Sequence, residues 1–161
     1  ETFSEALLQT QKRASGRGPK AIQQELRKKG IGKELQEKIL ESYSEDEQVK
    51  IATKLAEKTA ASSRSAPPRQ VQQKIQNALL RKGYSFDIIK QALADIDFER
   101  GEDEWTEITE SVGEKAWRLY RTRFSGSERN NRVKQAMYQK GISFDRIDSF
   151  IEKKENEEDG D

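Results

Sequence analysis

Apolar residues recur along this chain at helical spacing in three places, and each run ends at a glycine. Aligned on Gly30, Gly83 and Gly141, the position eight before holds Ile22, Ile75 or Val133. The position four before holds Leu26, Leu79 or Met137, and the position just after holds Ile31, Tyr84 or Ile142. This period predicts a helix running up to each glycine. Lys29, Lys82 and Lys140 stand immediately before the glycines. A cation there meets the negative end of the helix dipole, and the glycine can take the left-handed conformation that closes a helix.

Two residues past each glycine comes Gly32, Ser85 or Ser143, and in the later two runs an aspartate follows, Asp87 or Asp145. Serine caps a helix by accepting an orphan backbone N–H, and a carboxylate is favoured in the first turn. A second helix is therefore expected, with core positions Leu35, Ile39 and Leu40, then Phe86, Ile89 and Leu93, then Phe144, Ile147 and Ile151. One more helical pattern leads each pair: Phe3 to Lys12, Glu45 to Ala60 and Glu102 to Phe124. The stripe of Trp117, Tyr120 and Phe124 on the last of these reads as core. Pro67 and Pro68, and the loop SGS at 125–127, separate a leading helix from its pair. The pattern thus spells an all-α chain of three tandem three-helix repeats, over residues 1–43, 44–97 and 98–154. Repeats that bury little alone stack on their neighbours, so an elongated, curved array of either hand is expected.

Composition sharpens this picture. With 161 residues, 32% hydrophobic and 37% charged, the chain suits several small cores better than one large one. It has no cysteine and no histidine. That excludes disulfides, thiolate or imidazole metal sites, a cysteine nucleophile and the usual general base. No apolar run approaches the roughly 20 residues of a membrane span and no signal peptide is visible, so a cytoplasmic protein is expected. The sequence begins at Glu1 rather than methionine, which suggests a piece of a longer chain. Net charge is +1, unevenly spread: the first two repeats are basic and residues 98–161 carry twelve Lys/Arg against sixteen Asp/Glu. Residues 155–161 read as an acidic, disordered tail.

The run SGRGPKAIQQELRKKGI, Ser15 to Ile31, resembles the signature of the RecX family: a glycine-proline start to a helix, flanked by basic residues and ending in leucine, lysines and Gly-Ile. The two later units resemble that family's repeats, so the likeness extends from about Phe3 to Lys154. It is a likeness to the C-terminal portion, since a further helical unit is expected ahead of the signature. The resemblance implies tandem three-helix repeats that bind RecA recombinase filaments on DNA and restrain them, in recombination, DNA repair and the SOS response, as a monomer without cofactor.

Three basic sets are candidate contacts for such a filament or for single- or double-stranded DNA. One lies at the helix ends: Lys28, Lys29, Arg81, Lys82 and Lys140. A second is Arg118, Arg121, Arg123, Arg129 and Arg132, where guanidinium suits bidentate phosphate or carboxylate contacts. A third, Lys12, Arg13, Arg17 and Lys20, flanks Gly16 to Pro19, a loop whose glycines allow close backbone approach to a partner. Each set reads equally as solvated surface. A helix-turn-helix DNA binder and a helical scaffold for another protein remain as alternatives, the former weakened by the acidic second helices, with Asp87, Asp95 and Asp97 in one and Asp145, Asp148 and Glu152 in the other. No catalytic constellation stands out: the carboxylates lie on charge-mixed faces, and SGRGPK lacks the spacing of a phosphate-binding loop.

Overall fold

A computed structural model describes residues 2–13 and 15–159, apart from the side chains of Arg13 and Asp159. Among the described residues the chain is all-α, with nine helices: α1 Phe3–Arg13, α2 Pro19–Lys28, α3 Lys33–Glu41, α4 Glu45–Ala61, α5 Pro68–Lys82, α6 Phe86–Ala94, α7 Glu102–Arg121, α8 Gly126–Gln139 and α9 Phe144–Asp159. They fall into three consecutive triplets, as the glycine-punctuated pattern predicts. No helix among the described residues is long and apolar enough to cross a membrane.

The three corners that define the repeats are built alike. Gly30, Gly83 and Gly141 have φ of 80°, 97° and 91°. In each corner the next residue's amide donates to the carbonyl five residues back, Ile31 to Leu26, Tyr84 to Leu79 and Ile142 to Met137. These bonds satisfy carbonyls that a helix end would otherwise leave orphaned. Ser85 caps α6, its hydroxyl accepting the Ile88 amide, while at the equivalent Ser143 the backbone carbonyl accepts the Ile147 amide.

Burial follows the repeat register. Ile22, Ile75 and Val133, and Leu26, Leu79 and Met137, are all fully buried. Six positions past each glycine stand Gln36, Ile89 and Ile147, all buried; the odd polar member, Gln36, donates from Nε2 to the Ile31 carbonyl at 2.6 Å. A buried amide is tolerated only with such a partner. Three expected core positions are corrected: Leu35, Phe86 and Phe144 are exposed. The cores are closed instead by Ile39, by Ile88, Ile89 and Ala92, and by Ile147, Phe150 and Ile151. Phe86 and Phe144 occupy the first turn of their helices, where the side chain points back beyond the face that meets the neighbour.

The chain divides into two compact units, one of Glu1–Ser62 with Gln72–Asp97 and one of Ser63–Val71 with Phe98–Asp161. In the first unit α1, α2 and α3 pack on one another and α4 packs on α6. The repeats are joined there by the segment 15–18. The Gly18 amide donates to the Lys82 carbonyl at 2.7 Å and the Lys20 amide to the Gly83 carbonyl at 3.1 Å. Orphan donors at the start of α2 thus meet orphan acceptors at the end of α5, positive dipole end against negative. A Cβ on Gly18 would lie 2.5 Å from the Gly83 carbonyl carbon, and one on Gly83 2.5 Å from the Ala21 nitrogen. Only glycine at both positions permits the contact. Tyr84 crowns it: its hydroxyl donates to the Gly16 carbonyl at 2.7 Å and lies 3.1 Å from the Tyr43 hydroxyl, which is also 3.1 Å from the Arg17 carbonyl. Burial pushes both phenols above their ordinary pKa.

In the second unit α7, α8 and α9 surround a core of Ala116, Trp117, Val133, Met137, Ile142, Ile147, Phe150 and Ile151. Trp117 is buried; Tyr120 packs against that core and Phe124 is half-buried, α7 ending at Arg121 rather than reaching Phe124. Helix α9 continues through residues 155–159, where composition alone predicts a frayed tail. Asn130 and Arg129 of α8 hold Glu155 and Glu158 there.

Candidate functional site

The basic residues singled out in the sequence divide into those turned inward and those presented to solvent. Lys12 is 4% exposed; its ammonium is 2.9 Å from Glu47 Oε2 and sits over the Tyr43 ring. Lys82 is half-buried, donating to the Ser15 carbonyl at 2.8 Å. Arg129 lies over the Trp117 ring, 4.1 Å from its centroid, and pairs with Glu158 at 2.8 Å. These three spend their charge on holding the fold. Arg132 covers the Phe124 ring from an exposed position. Arg17 is half-buried and Lys20 exposed, both beside the splice of α2 onto α5, so the close glycine approach expected at Gly16 to Pro19 is made to the second repeat of the same chain. The Arg13 side chain lies outside the described residues.

Lys28, Lys29, Arg81, Arg118, Arg121, Arg123 and Lys140 are exposed. The end of α2 is the densest of these places. Arg27, Lys28 and Lys29 follow one another there, and Lys33 opens α3 just across the turn, all exposed. Four cations in seven residues raise the local positive potential, and the α2 carbonyl end opposes it only in part. Arg27 and Lys33 escaped the sequence reading, although a signal was present: they flank Gly30 symmetrically, three residues before and three after. The arginines of α7 form a smaller group, Arg118 and Arg121 in the last turn with Arg123 just beyond, all exposed.

Some carboxylates are held in structural contacts. The Gly101 amide donates to Glu104, and the Arg64 guanidinium grips the same carboxylate through Nε at 2.9 Å and Nη2 at 2.8 Å, which together hold its pKa below the ordinary carboxylate value. Burial lowers the Lys154 pKa, but Glu114 and Glu157 outweigh it and raise the pKa overall. A cavity of about 530 Å³ between α7 and α9 is spanned by Arg146–Glu102 and Lys153–Glu110 ion pairs and is otherwise lined by Asp145, Phe150 and hydroxyl side chains. Among the described residues no group of His, Cys, Asp or Glu is placed to hold a metal ion. What the geometry offers is a set of exposed cations at helix ends, on corners that share one backbone hydrogen-bond pattern.

Comparison with known proteins fits this architecture. The family model for the second three-helix domain of RecX matches residues 1–40, and that for the third three-helix domain matches twice, over residues 45–93 and 102–151. The chain is 39% identical to the regulatory protein RecX of Bacillus licheniformis, over 94% of this chain and 57% of that protein. It is 37% identical to the RecX of Enterococcus faecalis, over 98% and 59%, and 35% identical to that of Bacillus subtilis, over 96% and 58%. It therefore spans somewhat more than half the length of these curated relatives. No solved structure matches significantly. With one match to the second domain followed by two to the third, each falling on one of the glycine-cornered triplets, the chain belongs to the RecX family.

Proposed function

We propose that this chain is a non-catalytic regulator that binds RecA recombinase filaments on DNA and hinders the subunit rearrangement or partner-DNA access that an active filament needs. The observation that carries this reading is the cluster of Arg27, Lys28, Lys29 and Lys33, four exposed cations fixed at one helix corner. A nucleoprotein filament offers both phosphate and acidic protein surface to such a cluster. Exposed cations recur at the two later corners, Arg81 and Lys140. Weak contacts on linked repeats suffice for useful affinity, because the second contact forms at raised effective concentration. The acidic first turns of α6 and α9, with Asp87 and Asp145, argue against either as a helix that reads bases in the major groove.

The test is ATP hydrolysis by RecA on single-stranded DNA with the chain titrated in at low and moderate salt, paired with co-sedimentation. Suppression near stoichiometric amounts is expected. The Lys28→Glu, Lys29→Glu double variant should bind more weakly and with a flatter salt dependence, since fewer counterions are released. Undiminished binding by that variant would remove this corner from the interface.

A further inference from the structure

The three corners share a backbone but not the side chains that flank it. Each glycine amide donates to the carbonyl three residues back, Gly30 to Arg27, Gly83 to Leu80 and Gly141 to Tyr138. Three residues beyond the glycines stand Lys33, Phe86 and Phe144. The flanking pair is thus Arg27 with Lys33 in the first repeat, Leu80 with Phe86 in the second and Tyr138 with Phe144 in the third. All four apolar members are solvent-exposed, Leu80 by 37%, Phe86 by 65%, Tyr138 by 49% and Phe144 by 56%. Seven large hydrophobics are exposed among the described residues, and four fall on these two register positions. Chance exposure would scatter them.

In the third repeat the two rings stack on each other, with centroids 4.6 Å apart and planes 9° from parallel. They form a flat apolar slab on a corner that Arg69 stiffens, its guanidinium donating to the Tyr138 and Gln139 carbonyls at 3.4 and 3.3 Å. The surroundings are close to neutral. Asp87 and Asp145 directly follow the phenylalanines, Arg81 and Lys140 stand among the residues just before the glycines, and Lys134 is paired with Asp148 at 3.0 Å. A phosphate backbone gains little from such a patch. Rigid aromatic anchors with a mixed-charge rim match the centre of a protein–protein contact.

We propose that Leu80 with Phe86, and Tyr138 with Phe144, are two equivalent apolar anchors, one in each compact unit, that dock into apolar pockets on the protein subunits of a filament. The first repeat, carrying cations at the same register, makes its contact by charge. A partner with repeating subunits offers the same pocket more than once, which fits an anchor that is itself repeated. The inference rests on the filament reading above and adds the residues and the kind of contact.

The experiment is co-sedimentation of the 161-residue chain with RecA filaments on single-stranded DNA, with naked single-stranded DNA, and alone, at low and moderate salt. The Phe86→Ser, Phe144→Ser double variant is compared with the Phe86→Leu, Phe144→Leu variant, which keeps an apolar side chain. The serine variant is expected to bind the filament about tenfold more weakly at both salts, with an unchanged thermal midpoint because both sites are exposed. The leucine variant should stay within about threefold. Equal filament binding by the serine variant, with the parent chain binding, overturns the anchors and leaves the filament reading intact. An equal loss on naked DNA identifies a base-stacking platform instead, and a parent chain that self-associates where the serine variant does not identifies a second copy as the occupant; either result overturns the proposal. Failure of the parent chain to bind the filament overturns the filament reading, and this inference with it.

Discussion

The corners at Gly30 and Gly83 have the same backbone and very different surroundings. Both glycines have positive φ, and both are followed by an amide bonded five residues back. Around Gly30 nothing comes within 4 Å of an added Cβ, whereas at Gly83 the Ala21 nitrogen is 2.5 Å and the Ala21 Cβ 2.8 Å away. One glycine serves only its own turn. The other serves the turn and also admits the start of another helix. A repeated word in a sequence therefore fixes local conformation without fixing what packs on it, and in this chain the second repeat carries the extra duty.

The largest expected effect separates those duties. Gly83→Ala should cost about 4 kcal/mol, because left-handed strain adds to a backbone collision that breaks the Gly18 and Lys20 bonds. Gly30→Ala should cost only about 1 kcal/mol, the strain alone. Urea unfolding followed by far-ultraviolet circular dichroism measures both, and equal losses would mean that the splice contributes nothing to stability. A middle-sized effect comes from the residue after the glycine, which is isoleucine in the first and third corners and Tyr84 in the second. Tyr84→Phe makes the second corner resemble the others and strips the Gly16 carbonyl of its donor, for a loss of about 1–2 kcal/mol at neutral pH. Because the folded phenols have raised pKa values, their stabilisation is complete below the ordinary value of 10 and is lost as pH rises above it. The variant should therefore show a shallower alkaline decline than the parent chain.

The smallest expected effect concerns the leading helices. Glu47 and Glu104 both sit in the third position of their helix, and each holds a cation from an earlier segment, Lys12 or Arg64. Glu104 has a lowered pKa, so its contribution is present above the ordinary carboxylate value of 4.5 and fades as pH falls through its folded value. Glu104→Gln should leave stability at pH 7 slightly reduced and flatten the acid limb of the stability profile. An unchanged acid limb would show that neither the Gly101 amide nor the Arg64 fork holds Glu104 in solution.

How much of this was legible in the sequence follows the distance over which each signal acts. The helix stops at Lys29, Lys82 and Lys140, the cap at Ser85, and the buried positions eight and four residues before each glycine are local, and periodicity suffices for them. Phe86 and Phe144 defeat the same logic. They fit the apolar period, but a period marks a direction around the helix and not how far along it the neighbour reaches. Lys12 and Arg129 stand among the candidate contacts in the sequence because their acceptors, Glu47 and Glu158, lie 35 and 29 residues away. The acidic tail was read as disordered from its charge, and the Arg129 and Asn130 partners that hold residues 155–158 in helix could not be seen from composition. Lys28 and Lys29, off the apolar period set by Ile22 and Leu26, are exposed.

The splice between Gly18 and Gly83 also sets an order of events. Tyr84 is 68 residues beyond the Gly16 carbonyl it bonds, so although Gln11 and Tyr43 already hold Arg17, the Gly16 carbonyl and the Gly18 and Lys20 amides have these partners only once the second corner has been made. On a ribosome, where the chain emerges from its amino end, the first repeat would lack those three bonds until the next one had emerged and folded. A nascent chain stalled between the two repeats is therefore expected to be more open to proteolysis at residues 15–20 than the finished chain.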